Sequence, residues 1–202
     1  MKFEGARIGR GFWLRWVLAS FVGWAVGSLV SDTLGDTVGE VWFDSVGLIA
    51  LGTSNGGMQW LALRHRVPWG GWWVAANIAG WAVGALVNLP LGLATGWIVG
   101  LVVAGMFQWF ILRRQLSRAT WWLFASFVAW GAGVGISLAL SGCPGACSGA
   151  VFGVVVGAMT GVALVWLLRR PGPELVIQPA GDDSENKGLA SGDVILPAAP
   201  EK

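Results

Sequence analysis

The chain is 202 residues long, 55% hydrophobic and only 12% charged, with a formal net charge of +2. Soluble domains carry about 25% charged residues, so this composition excludes an ordinary water-soluble globule, and the mean hydropathy of +0.65 agrees. Nor is the net charge a nucleic-acid signal, because it hides a separation between two basic turns, 64–66 and 113–118, and an acidic connection, 31–44.

Between those segments lie apolar stretches of about 20 residues, each long enough to cross a ~30 Å hydrocarbon core as a helix. Backbone in lipid has no water to pair with, so each stretch must satisfy its own N–H and C=O groups. The sequence therefore predicts an all-α integral membrane bundle of six transmembrane helices over 12–170. A basic segment, 1–11, precedes it, and a largely disordered tail, 171–202, follows.

The first span, 12–30, follows Lys2, Arg7 and Arg10; it has the basic flank of a signal peptide but no small-x-small cleavage site, and is read as retained. The connection around 31–44 carries Asp32, Asp36, Glu40 and Asp44 and no basic residue. The second span, 46–63, contains the polar run GTSNGG and ends at the basic turn RHR (64–66). The third, 71–87, and fourth, 91–112, are joined through uncharged residues 88–90, and the basic turn RRQLSR (113–118) follows. The fifth, 120–140, leads through uncharged 141–148 to the sixth, 149–168. Every Lys and Arg lies within residues 1–15 (Arg15 just inside the first span), in these two turns or from Arg169 onward. By the positive-inside rule both termini are then cytoplasmic.

The odd-numbered spans repeat one pattern: WVLASFVGWAVGSLV (16–30), WVAANIAGWAVGALV (73–87) and WLFASFVAWGAGVGI (122–136). Trp16, Trp73 and Trp122 align, as do Ser20, Asn77 and Ser126, then Trp24, Trp81 and Trp130. The connecting turns repeat as well, QWLALRHRVPWGGWW (59–73) answering QWFILRRQLSRATWW (108–122). The unit is a helical hairpin present three times, which predicts a bundle with threefold pseudo-symmetry.

The even spans carry small residues every fourth position: Gly92, Gly96, Gly100 and Ala104 in the fourth, Gly149, Gly153, Gly157 and Gly161 in the sixth. Such a stripe either lets helices pack closely in lipid or lines a pore. Ten of the 15 Trp (Trp13, Trp16, Trp60, Trp69, Trp72, Trp73, Trp109, Trp121, Trp122 and Trp166) fall near the cytoplasmic span ends. There an indole's apolar body and N–H suit the headgroup zone. Trp24, Trp81 and Trp130 lie deeper, either packed on glycine faces or touching lipid or pigment.

The pattern G-x-x-Q-W-x-x-L-R-R followed by W-x-x-A-S-x-x-x-W-x-x-G, carried here by GMQWLALRHR, GMFQWFILRR and the Trp-led spans, resembles a family of uncharacterised bacterial Trp/Gly-rich multi-pass membrane proteins. The resemblance covers roughly 12–170. It implies the bacterial plasma (inner) membrane and repeated hairpins, and implies no activity.

No catalytic constellation emerges. His65 is the single histidine, set between two arginines without partners for a base or a metal. No carboxylate lies inside a span, unlike the usual proton-coupled transporter. The spans instead hold Ser20, Asn55, Gln59, Asn77, Gln108 and Ser126, with the two glutamines ~7–8 Å inward of the basic turns. These six would form a polar layer in the cytoplasmic third, serving either helix–helix hydrogen bonds or a small-solute site. Cys143 and Cys147 flank PGA in an outer loop, where an oxidising compartment would favour a disulfide. In the tail, ELVIQPA (174–180) and DVILPAA (193–199) are two short β-prone runs, either linker or a motif for a cytoplasmic partner.

The expectation is a non-enzymatic membrane protein, without cofactor or metal, that packs with other membrane-protein subunits in the lipid bilayer as a scaffold or accessory subunit. The alternative is a small channel or carrier for a small neutral solute. No nucleic-acid partner is expected.

Overall fold

A computed structural model describes residues 9–38, 40–64, 70–114, 116, 118–139 and 145–169. They form six α-helices: α1 (Arg10–Val38), α2 (Glu40–Leu63), α3 (Gly70–Leu91), α4 (Leu93–Arg113), α5 (Thr120–Ala139) and α6 (Gly145–Leu168). His65, Cys143 and both apolar runs of the tail lie outside the described residues. Cys147, the other half of the expected bridge, sits in the first turn of α6.

Five of the six, all but α2, contain a stretch long and apolar enough to cross a membrane. In α2 the run Thr53, Ser54, Asn55 and, a turn later, Gln59 lowers the hydropathy. Two expected connections prove helical. The acidic segment around 31–44 is covered by the end of α1 and the start of α2. Residues 88–90 belong to the last turn of α3, where Pro90 supplies no N–H to the Leu86 carbonyl and so weakens the helix just before it stops at Leu91. The break there is a single residue, Gly92, with φ 84°. That left-handed backbone suits glycine, and a Cβ on Gly92 would meet nothing within 4 Å. Gly92, expected on the packing stripe, is therefore the hinge of the α3–α4 hairpin instead.

Helices adjacent in sequence pack side by side, and α6 packs on α1 to close a ring. One contact in that ring is weak: α4 and α5 meet far more sparsely than any other neighbouring pair. The polarity is inverted relative to a soluble fold. Leu14, Leu18, Leu86, Ile98 and Leu138 project outward, while Ser20, Asn55, Gln59, Asn77, Gln108 and Thr160 are buried. An apolar exterior, with the polar side chains of the helices confined to the interior, is what lipid demands of a multi-pass bundle.

Glycine sets how closely the ring closes. A Cβ on Gly153 of α6 would lie 2.6 Å from the Ser20 carbonyl oxygen and 3.0 Å from Phe21 Cα on α1. Gly157 would press on Ser20 Cβ at 2.7 Å, Gly161 on Trp16 Cδ1 at 2.9 Å, and Gly149 on the Trp24 carbonyl oxygen at 3.0 Å. On α4, Gly96 faces the Gly84 carbonyl oxygen at 2.7 Å, and Gly100 faces the Trp81 ring at 3.2 Å. These six glycines therefore abut neighbouring helices rather than open space, against the pore alternative. Because lipid solvates a separated apolar helix as well as a packed one, a clash here has no hydrophobic compensation.

Gly153→Leu should accordingly abolish the cooperative thermal transition in detergent or lower its midpoint strongly. Gly57→Ala is the control, since a Cβ there meets nothing within 4 Å. It should leave the midpoint unchanged or raise it, by up to about 1 kcal/mol of helix propensity.

Candidate functional site

The centre of the ring is filled by tryptophan from the odd helices. Trp16, Trp73 and Trp122 meet edge to face, with ring centroids 5.9 Å (16–73), 6.2 Å (16–122) and 5.5 Å (73–122) apart. Two helical turns along, Trp24, Trp81 and Trp130 make a second triad, with centroids 5.9 Å (24–81), 5.3 Å (24–130) and 5.9 Å (81–130) apart. At 1.5 Å per residue the two layers are stacked roughly 12 Å apart. Edge-to-face pairs at these separations are attractive beyond the area they bury.

The first triad corrects the headgroup-belt expectation. Trp16, Trp73 and Trp122 are at most 2% exposed, whereas Trp72 and Trp121 are 63% and 56% exposed. Consecutive helical residues point roughly 100° apart, so in each WW pair the first indole faces outward and the second faces the axis. Of the deeper triad, Trp81 meets glycine as expected, packing against Gly52 and Gly100.

A buried indole N–H needs an acceptor. Trp73 Nε1 donates to Gln59 Oε1 at 2.9 Å and Trp122 Nε1 to Gln108 Oε1 at 3.1 Å. Trp16 Nε1 donates to Thr160 Oγ1 at 3.0 Å, which ties α1 to α6. Thr160 did not emerge from the sequence, although a signal exists. Gln59, Gln108 and Thr160 each stand three residues after a glycine (Gly56, Gly105, Gly157) and four before a leucine (Leu63, Leu112, Leu164). Those leucines are all buried.

The glutamines have a second function that threonine cannot copy. Gln59 Nε2 donates to Ser20 Oγ at 3.3 Å, and Gln108 Nε2 donates to Asn77 Oδ1 at 3.4 Å. Each glutamine thus spans from one odd helix to the next. In the third sector the shorter Thr160 turns its hydroxyl back onto the Val156 carbonyl oxygen at 2.6 Å. Ser126, the counterpart of Ser20 and Asn77, is left without a partner although only 8% exposed. Asn55, 3% exposed, likewise has an unpaired Oδ1. Of the six residues expected in the polar layer, four are joined in pairs, and Asn55 and Ser126 are not. Sequence reasoning also missed Ser45 and Asn88, which link α2 to α3: Asn88 Nδ2 donates to Ser45 Oγ at 3.2 Å, and that hydroxyl donates to the Ala85 carbonyl oxygen at 3.2 Å.

Asn55 and Ser126 share a cavity of about 310 Å³. Gln59, Asn77, Gln108 and Thr160 also reach its wall, with Trp81, Trp122 and Trp130 as aromatic surface. None of the lining residues is charged. The other buried unpaired atoms, Trp24 Nε1, Trp109 Nε1 and Ser137 Oγ, belong to residues that do not line it. A separate hollow of about 330 Å³ between α3 and α4 is lined by Trp72, Ala75, Phe107 and Phe110 with Arg114 at its edge. It is a largely apolar outer groove without unpaired buried atoms, so the inner cavity is the candidate site. Among the described residues no His, Cys, Asp and Glu cluster into a metal site. Comparison with family models, curated proteins and solved structures finds no match for this chain.

The two kinds of buried polar group should respond oppositely to removal. Gln108→Leu strands the Trp122 N–H and the Asn77 oxygen, and should cost about 1–3 kcal/mol. Ser126→Ala removes a hydroxyl with no protein partner, and should leave the unfolding midpoint unchanged or higher. Thermal unfolding of both variants in one detergent checks this, and equal losses would contradict it.

Proposed function

We propose that the chain is a non-enzymatic membrane protein of six transmembrane helices, built as three repeated hairpins with both termini cytoplasmic, in a bacterial plasma membrane. Its proposed activity is to bind a small uncharged molecule in the cavity beside α4, α5 and α6, as a carrier or receptor for it. One observation carries this reading: two side chains nine-tenths buried or more, Asn55 and Ser126, each hold an unpaired polar atom and both line the same uncharged cavity. An unpaired buried polar group costs about 1–3 kcal/mol. A purely structural bundle gains by replacing such groups with apolar ones, whereas a ligand site needs them. The absence of charge in the lining selects an uncharged occupant, because a buried ion would lack a counter-charge.

The axis itself does not support a pore, since the two tryptophan layers fill it on either side of the polar layer. Carrier or receptor is therefore favoured over channel. The repeat is supported by the threefold correspondence of Gln59, Gln108 and Thr160, each accepting from an aligned tryptophan. Spanning by α2 is supported by the burial of its polar residues Ser45, Asn55 and Gln59.

Two experiments test this. Single cysteines at Asp36 and Ser117, in a chain with Cys143 and Cys147 replaced by serine, should label from opposite sides of intact cells; labelling of both from outside would refute the topology. Native mass spectrometry of protein extracted in mild detergent should find an uncharged small molecule on the wild type and none on the Asn55→Leu, Ser126→Ala double variant, folded at equal or higher stability. A wild type that arrives empty but with a stable membrane-protein companion would restore the scaffold reading.

A further inference from the structure

Resting on the reading of this cavity as a ligand site, we propose that its occupant is a single-chain neutral lipid with a hydroxylated head, entering sideways from the bilayer between α4 and α5. The route follows from where the ring is incomplete. Ile98 of α4 and Phe127 and Val134 of α5 line the cavity, yet they are 62%, 55% and 42% exposed on the outer surface. The cavity therefore reaches the apolar exterior along the seam where α4 and α5 barely touch.

Two glycines leave that seam bare. Gly105 and Gly131 both line the cavity. Unlike the packing glycines, a Cβ on Gly131 would meet nothing within 4 Å, and one on Gly105 only Leu123 Cδ2 at 3.8 Å. The helix faces here are small without being pressed together, which leaves a slot. The way in along the axis is closed by the tryptophan layers, so the slot opens to lipid rather than water.

The head chemistry follows from the unpaired atoms. A hydroxyl both donates and accepts, so it suits Ser126 Oγ and Asn55 Oδ1, the two unpaired atoms. A carboxylate, ammonium or phosphate would enter a lining with no opposite charge, which membrane interiors penalise. The cavity's 310 Å³ sits at the low end of the ~300–1,000 Å³ typical of ligand pockets. It thus holds a small head and the start of one chain, with the remainder lying over Phe127 and Ile98 in the slot.

The test uses the full-length protein in phosphatidylcholine nanodiscs and a monoacylglycerol with a photoreactive diazirine in its acyl chain, with crosslinks mapped by peptide mass spectrometry. Crosslinks should fall on α4 and α5 around Ile98, Leu123 and Phe127. Unlabelled 1-monooleoylglycerol should compete at least about tenfold better than methyl oleate, which lacks the hydroxyls, or oleate, which carries charge. Gly131→Phe, at a position where a Cβ meets nothing within 4 Å, should obstruct the slot and reduce crosslinking about tenfold at unchanged unfolding midpoint. Ser126→Ala should keep the crosslink positions and weaken competition by 1-monooleoylglycerol roughly fivefold, as for one hydrogen bond. Crosslinks scattered over the outer surface, equal competition by methyl oleate, or unchanged competition in Ser126→Ala would overturn the proposal. Short-chain monobutyrin binding equally to wild type and Gly131→Phe, where 1-monooleoylglycerol does not bind, would overturn the lipid route while leaving the cavity a ligand site. Binding of neither would overturn both.

Discussion

An indole N–H buried away from solvent must find an oxygen, and Trp16, Trp73 and Trp122 are all buried at the axis of this bundle. Much of the architecture follows from meeting that demand three times. Trp16, Trp73 and Trp122 are too large to share the centre except edge to face, and their N–H groups then point into the ring of helices. The acceptors come from the even helices, so each of those is fixed in rotation by a central tryptophan. Glutamine does this with an amide to spare, and the spare N–H reaches the preceding odd helix. Threonine does it with nothing to spare. The sector governed by Thr160 therefore departs from the other two, and Ser126 is left unpaired there. The second triad meets the demand less completely: Trp24 Nε1 is unpaired, and the layer rests on ring contacts with Trp97 and Phe152.

Glycine is the complement of so much tryptophan. Filling the centre with six indoles leaves the surrounding helices room to touch only if their facing sides are nearly bare. Where the glycines are pressed to backbone, as on α6 against α1 and within the α3–α4 hairpin, the ring is sealed. Where they face empty space, at Gly105 and Gly131, it is not. The same residue type thus closes one interface and opens another, and only the neighbour decides which.

That dependence on neighbours explains what could be read from the chain alone. The helices were legible because lipid imposes length and apolarity on each span locally. The alignment of Trp16, Trp73 and Trp122 was legible because identical residues recur in identical surroundings. Their direction was not, since a tryptophan near a span end satisfies an interface and a core equally well by composition. Gln59 and Gln108 stood out as amides in apolar helices, but Thr160 looked like one more small residue on a glycine stripe. The acidic segment after the first span read as loop because its charges suggest solvent, whereas helices extend past the hydrocarbon without penalty: α1, with 29 residues, is roughly 43 Å long. The gap between α4 and α5 is a missing contact, and no residue announces what it fails to touch.

Closure of the ring by α6 on α1 has a consequence for how the protein is made. Helix α1 depends on α6, which is synthesised long after it: Trp13 Nε1 donates to the Ala158 carbonyl oxygen and Trp16 Nε1 to Thr160, across 145 and 144 residues of sequence. Until α6 is made, α1 has two indole donors without these acceptors and a face shaped for glycines not yet synthesised. Without α6 the remaining helices make an arc, not a closed ring. A chain stalled or cut before α6 would present that unfinished edge to whatever quality control the membrane provides.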